Sequence, residues 1–221
     1  MRVRRVPRGE PLSVARAKVQ AGGILRKSLA NDWRTPEHVL EAARATFGGP
    51  IPFDPFSGPE NGTRALRFCA ESDDERFERD SPLFGMCVRV PADDNGLAGK
   101  RVLGSGLEIK WPLAGCWVNP PYSSALRACL AKVVHEASRG VPCLVLLPVN
   151  RTEVAWMQDF VRAADGVCLI RKRLAFISAI DGAAVGGNPF ASWVWSFNVD
   201  RDVFREAWSP LGLCLGVEEM R

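Results

Sequence analysis

The sequence predicts an α/β protein built on a mostly parallel sheet, and three observations carry that prediction. Apolar strand-like runs near residues 53, 117, 144, 168 and 194 alternate with stretches of helical periodicity. Val141 to Leu147 is a near-continuous apolar run, the pattern of a strand buried on both faces. The two loops richest in chemistry, at Asp54 and at Asn119, both follow strand-like runs, and open α/β sheets bind ligands at the carboxyl ends of their strands.

Composition bounds the alternatives. A chain of 221 residues can bury one good core, so one domain with insertions is expected. Hydrophobic content of 47% with 24% charged residues is ordinary for a globular protein. No apolar run approaches the roughly 20 residues of a membrane span, and the basic start lacks the apolar segment of a secretory signal. The seven cysteines (Cys69, Cys87, Cys116, Cys129, Cys143, Cys168 and Cys214) form no CxxC pair. Several lie in apolar runs, which predicts buried thiols in a reducing cytoplasm rather than disulfides. With only His38 and His135 available, no zinc site is expected.

In chain order, residues 1–30 carry eight Lys and Arg against the single acid Glu10. They read either as a solvated tail or as an arm that neutralises nucleic-acid phosphates. Thr35 is a candidate N-cap with Pro36 at the first helical position. Val39, Leu40, Ala43 and Phe47 follow at helical spacing, and Gly48-Gly49 ends the helix. Trp33, just before the cap, is either a hydrophobic staple or an aromatic face for a ligand.

A short β-prone segment then ends at Asp54, and Pro55, Phe56 and a glycine-bearing loop to Thr63 follow. An acid there can hold an ammonium or hydroxyls, and glycines let backbone approach a ligand. Residues 64–115 show little periodicity and read as an irregular insertion with a charged run (Glu71 to Asp80), a turn at Asp93-Asp94-Asn95-Gly96 and a flexible Gly104-Ser105-Gly106 segment.

Gly115 to Val118 reads as a buried strand that halts at Asn119-Pro120-Pro121-Tyr122-Ser123. The prolines lack backbone donors and have fixed φ, so the Asn119 and Pro120 carbonyls are held at set angles away from sheet pairing. An amide before them and an aromatic ring after them make a rigid acceptor cluster beside a stacking surface, suited to a planar amine. A helix over 125–138 with Leu126, Cys129, Leu130, Val133 and Val134 on one face follows, and Gly140 is its expected C-cap. A helix over 154–164, a strand over 166–170, the cluster Arg171-Lys172-Arg173, a loop at Gly186–Phe190 and an alternating strand over 192–199 complete the pattern.

This ordered set resembles the phage-type Dam family of DNA adenine-N6 methyltransferases, within the Rossmann-like class I S-adenosylmethionine-dependent fold. The matching pieces are Trp33-Arg34-Thr35-Pro36, Asp54-Pro55, an acidic turn near Asp94, Asn119-Pro120-Pro121-Tyr122-Ser123, Leu146-Leu147-Pro148, Arg173-Leu174-Ala175-Phe176 and Gly187-Asn188-Pro189. They cover about residues 31–200; the tetrapeptide NPPY alone also marks enzymes that methylate glutamine amides or RNA bases.

The resemblance implies methyl transfer from S-adenosylmethionine to the 6-amino group of a flipped-out adenine. Asn119, Pro120, Pro121 and Tyr122 are then catalytic: the Asn119 side-chain oxygen and the Pro120 carbonyl accept from the amine, and Tyr122 stacks on a base extruded from the duplex. Trp33, Thr35 and Pro36 pack near the donor's methionine end, Asp54, Pro55 and Phe56 form its floor with Asp54 near the ammonium, and Asp94 reaches the adenosine part. Arg151, Arg171, Lys172 and Arg173 are candidate DNA contacts, no metal is needed, and residues 31–221 form one methyltransferase domain. The alternatives left open are a methyltransferase for DNA cytosine-N4, RNA adenine or protein glutamine, and a non-catalytic DNA-binding relative.

Overall fold

The computed structural model describes residues 33–58, 61–70, 87–89, 100–102, 105–122, 124–150, 152–178, 182–185 and 189–220. The chain divides into two units, Met1–Trp33 and Arg34–Arg221, and of the first only Trp33 is described. The basic arm therefore lies outside the described residues.

After β1 (Trp33–Arg34), α1 spans Glu37–Phe47 and stops where Gly48 takes φ 69°, with the amides of Gly48 and Gly49 returning to the carbonyls of Ala45 and Arg44. A left-handed residue is cheap for glycine, so the expected stop holds. The start differs. Pro36, not Thr35, occupies the cap position and no side chain caps the helix, because the Thr35 hydroxyl is bonded elsewhere.

The strands that follow are β2 (Phe53–Ser57), β3 (Arg67–Ala70), β4 (Cys87–Arg89), β5 (Lys100–Val102) and β6 (Cys116–Val118). Next come α2 (Leu126–Ser138), β7 (Cys143–Pro148), α3 (Ala155–Ala163), β8 (Gly166–Ile170), β9 (Phe176–Ser178) and β10 (Ala184–Val185). The chain ends in β11 (Ser192–Phe197), α4 (Arg201–Trp208), β12 (Gly212–Gly216) and a 3-10 turn at Val217–Met220. The α2 helix is closed by Gly140 at φ 86°, one residue past Arg139.

The α/β class holds, but the sheets are mixed. One sheet has the order β12-β8-β11-β7-β6 and another the order β2-β3-β5-β4, with β2 packed alongside β6. The ladders β2–β3, β3–β5 and β6–β7 run parallel. Those of β7–β11, β8–β11, β8–β12, β4–β5 and β9–β10 run antiparallel. The expectation of a mostly parallel sheet is corrected by β11. It returns from the β9–β10 hairpin and slots between β7 and β8, pairing Ser192 with Pro148 through Phe197 with Cys143. The segment 64–115 is described only in part. Its described residues 67–70, 87–89 and 100–102 form β3, β4 and β5, which share a sheet with β2.

Successive side chains of a strand point to opposite faces, and here each face is covered by its own helices. Trp117, Leu144, Leu146, Cys168 and Val194 pack with Val39, Leu40 and Ala43 of α1 and Phe204 and Trp208 of α4. Cys116, Val118, Cys143, Val145, Leu147, Val167 and Trp195 pack with Leu126, Leu130 and Val133 of α2 and Met157 and Phe160 of α3. The result is a three-layer arrangement that explains why β6 and β7 are apolar at every position. Of the cysteines, Cys69, Cys116, Cys129, Cys143 and Cys168 are buried and Cys214 is half-buried, and none of these six is in a disulfide.

The segment at Gly106 is packed, not flexible. A Cβ on Gly106 would stand 2.0 Å from the Pro55 carbonyl oxygen, and the Gly106 carbonyl accepts from the Trp111 indole at 2.8 Å. Trp111 in turn meets Phe53 and Phe56 edge-on at 6.5 and 6.1 Å, with Lys132 of α2 5.8 Å over its ring. Gly106→Ala is expected to cost about 1–3 kcal/mol through overpacking against backbone. Urea denaturation monitored by tryptophan fluorescence measures that loss.

Candidate active site

Strand β6 delivers Asn119 to its site. Cys116, Trp117 and Val118 are fully buried, and the strand ends where Pro120 and Pro121 cannot donate to a ladder. Among the described residues no backbone amide donates to the carbonyls of Asn119 or Pro120, as the double proline predicts. The Asn119 side chain is held at both ends. Its Nδ2 donates to Thr35 Oγ1 at 3.3 Å, and its Oδ1 lies 2.7 Å from the Tyr122 hydroxyl. The same hydroxyl is 3.2 Å from the Leu146 carbonyl at the end of β7.

Tyr122 is 42% exposed overall, while its hydroxyl turns in to these two acceptors. Burial of the oxygen pushes the phenol well above its usual range, so it stays protonated and donates. Tethered at its tip, the ring is left as an open plate. Pro120 is buried and Pro121 half-buried beside it.

The second group lies in β2, alongside β6. Asp54 is 3% exposed. Its Oδ1 accepts from the Phe56 amide at 3.0 Å and its Oδ2 from the Thr63 hydroxyl at 2.7 Å. Among the described residues it forms no ion pair with a cation. Desolvation therefore outweighs the two hydrogen bonds, and the carboxyl is pushed up to about 6. Its negative charge also adds to the upward push on the Cys116 thiol in the adjacent strand, where burial and the neighbouring Cys143 dominate. A buried carboxylate with neutral partners alone is an acceptor that lacks its cation.

The remaining expectations are distributed as follows. Pro36 is buried at the head of α1, Pro55 is buried, and Phe56 is half-buried against Trp111. Thr35 is buried, and its described bond runs to Asn119. Arg171, Lys172 and Arg173 are all exposed at the end of β8, with Lys172 at φ 68°. The Trp33 side chain, Asp94 and Arg151 lie outside the described residues. Thr63 adjoins Asp54 and Trp111 adjoins Phe56 without any pattern in the sequence, and the contact of the Leu146 carbonyl with Tyr122 is likewise set by tertiary approach. Among the described residues no cluster of His, Cys, Asp or Glu could hold a metal ion, and no helix is long and apolar enough to cross a membrane.

The model of one protein family, DNA N-6-adenine-methyltransferase (Dam), matches residues 104–203. The matched span runs from the packing around Gly106 through Asn119–Tyr122 and β11 to the first turn of α4. No curated protein matches the chain. Residues 104–203, with the Asn-Pro-Pro-Tyr cluster seated at the end of β6, thus match a domain of the Dam family of DNA N-6-adenine-methyltransferases, a match that supports DNA adenine methylation.

Proposed function

We propose that the protein uses S-adenosylmethionine to methylate the 6-amino group of an adenine swung out of duplex DNA, at a site formed by Asn119, Pro120, Pro121 and Tyr122. The observation that carries this reading is the pairing of the Asn119 amide oxygen with Tyr122 beside the Pro120 carbonyl. The amine of adenine is a poor nucleophile because its lone pair is delocalised into the ring. Two acceptors that draw on both amine hydrogens favour a pyramidal nitrogen and free that lone pair. The Asn119 oxygen keeps a second lone pair beyond the one facing Tyr122, and the Pro120 carbonyl supplies the other acceptor. When bound, the donor supplies an electrophilic methyl group on a sulfonium.

Asp54 fits the donor because its carboxylate is buried and without a cationic partner among the described residues, the chemistry an ammonium would complete. Pro55 and Phe56, stiffened by Trp111 and Gly106, form the floor beneath it, and Trp33, Pro36 and Asp94 keep their proposed places around the donor. Helices on both faces of the sheet, with β2 beside β6, support a Rossmann-like class I arrangement. The exposed Arg171, Lys172 and Arg173, together with Arg151, are proposed to contact DNA phosphates, in the cytoplasm of a cell whose DNA is the substrate.

Methyl-labelled donor incubated with adenine-containing duplex, followed by nucleoside digestion and mass spectrometry, tests the reading. N6-methyladenine is the expected product. N4-methylcytosine would show a different planar amine in the site, and no label in any DNA from well-folded protein would overturn the reading. Tyr122→Ala is expected to lower kcat/KM about tenfold to a hundredfold, the equivalent of a base-stacking energy of about 1–3 kcal/mol. Tyr122→Phe, which keeps the plate and loses the tether, is expected to stay within about fivefold of the native enzyme, one hydrogen bond's worth.

A further inference from the structure

We propose that Thr35 is a positioning residue for the methyl-transfer step: its hydroxyl, together with that of Tyr122, fixes which end of the Asn119 amide faces the substrate. The inference rests on the proposed role of Asn119 as acceptor for the adenine amine.

Three observations support it. The Asn119 Nδ2 donates to Thr35 Oγ1 at 3.3 Å, across 84 residues of sequence. Thr35 is 6% exposed, so this is a bond made away from bulk water. The third is what Thr35 forgoes. It stands one residue before Pro36, the cap position of α1, a position where a threonine would satisfy helix amides, yet α1 has no side-chain cap and the Val39 and Leu40 amides turn to the Pro36 carbonyl. A residue suited by its chemistry to local capping is spent on a distant amide instead.

The amide needs such a partner. The last torsion of an asparagine is broad and nearly two-fold, so the two ends of the group exchange at little cost unless neighbours distinguish them. Flipped, Asn119 would present an NH2 to the adenine amine, donor against donor, and the acceptor geometry would be lost. A hydroxyl both donates and accepts, so neither Tyr122 nor Thr35 sets the orientation alone. With Thr35 Oγ1 accepting from Nδ2 while the Tyr122 hydroxyl donates to Oδ1, the amide is held at both ends with Oδ1 on the side of Tyr122. This differs from a contact with the donor's methionine end, the place the family resemblance implies for Thr35, and the two are separable.

The test compares Thr35→Val, which keeps the shape and removes the hydroxyl, with Thr35→Ser, which keeps the hydroxyl. Single-turnover methyl transfer on adenine-containing duplex and donor affinity by calorimetry are measured for each, alone and combined with Asn119→Ala. The single-turnover rate of Thr35→Val is expected to fall about fivefold to tenfold, the loss of one hydrogen bond. Donor Kd should stay within about twofold and Thr35→Ser should recover most of the rate, while Thr35→Val adds no further loss to Asn119→Ala. An unchanged rate in Thr35→Val, a donor Kd weakened by the same factor as the rate, or an undiminished effect in the Asn119→Ala background would each overturn the proposal. Should valine prevent folding, Thr35→Ala carries the same comparison. Full activity in Asn119→Ala alone would instead overturn the role of Asn119, a result distinct from any of these.

Discussion

Asn119→Ala is expected to reduce single-turnover methyl transfer to adenine DNA about a hundredfold to a thousandfold, the scale seen when one preorganised polar group aimed at a transition state is removed. The loss should fall on the rate and leave donor affinity unchanged, because the role proposed for Asn119 is to meet the amine and not the donor. The structure also predicts little loss of stability. The amide is half-buried at the end of a strand whose packing is carried by Cys116, Trp117 and Val118. Its removal frees the Thr35 and Tyr122 hydroxyls, and the second retains the Leu146 carbonyl. Rapid-quench transfer assays with labelled donor, set beside a thermal melt, measure both quantities. A rate within about threefold of the native enzyme, less than a single net hydrogen bond, would remove Asn119 from the chemistry.

Asp54→Asn is expected to weaken donor binding and strengthen the fold at the same time. Holding the carboxyl at about 6 instead of 3.8 corresponds to about 3 kcal/mol against its charged form. The folded protein keeps this proton at pH values where the unfolded chain has lost it. The contribution of Asp54 to stability is therefore greatest below about pH 4, falls between about 4 and 6, and stays low above that. Asparagine retains an acceptor for the Phe56 amide and a partner for Thr63 without the buried charge. At pH 8 the variant should be more stable than the native protein by about 1–3 kcal/mol, and the gap should close near pH 4. Donor binding reverses the preference, since an ammonium is attracted to the ionised form. Native affinity should fall as pH drops through about 6, and the variant should bind about tenfold to a hundredfold more weakly with no such titration. Thermal melts and calorimetry at pH 5 and pH 8 decide the matter. Equal stability at pH 8 with unchanged donor affinity would exclude this role for Asp54.

What was legible in the sequence is what local chemistry determines. Asn119-Pro120-Pro121-Tyr122 announces itself because two prolines end a strand wherever they occur. Gly48 marks a helix end because a left-handed residue is needed there, and Val141 to Leu147 reads as buried because both of its faces are covered. Thr35 was misread for an instructive reason: the capping rule is local, and a bond to a residue 84 positions away overrode it. Thr63 reaches Asp54 only through the conformation of the intervening loop. Gly106 and Trp111 lie where no period shows, yet they underpin Pro55 and Phe56. The alternation in Ser192–Phe197 revealed a strand, but nothing in it encodes a direction, and the mixed character of the sheet followed from that direction.

The place of β11 has a consequence for how the molecule comes into being. Residues 192–197 bond to β7 on one side and β8 on the other, so until they have been synthesised both strands present open, apolar edges. Such edges invite pairing with other chains, and contacts spanning this much sequence close slowly. The strand that supplies the Leu146 carbonyl to Tyr122 is thus secured only after β11 leaves the ribosome. The site proposed for adenine is finished late in synthesis, and a nascent chain that stops short of residue 192 carries the Asn-Pro-Pro-Tyr cluster on an unfinished sheet.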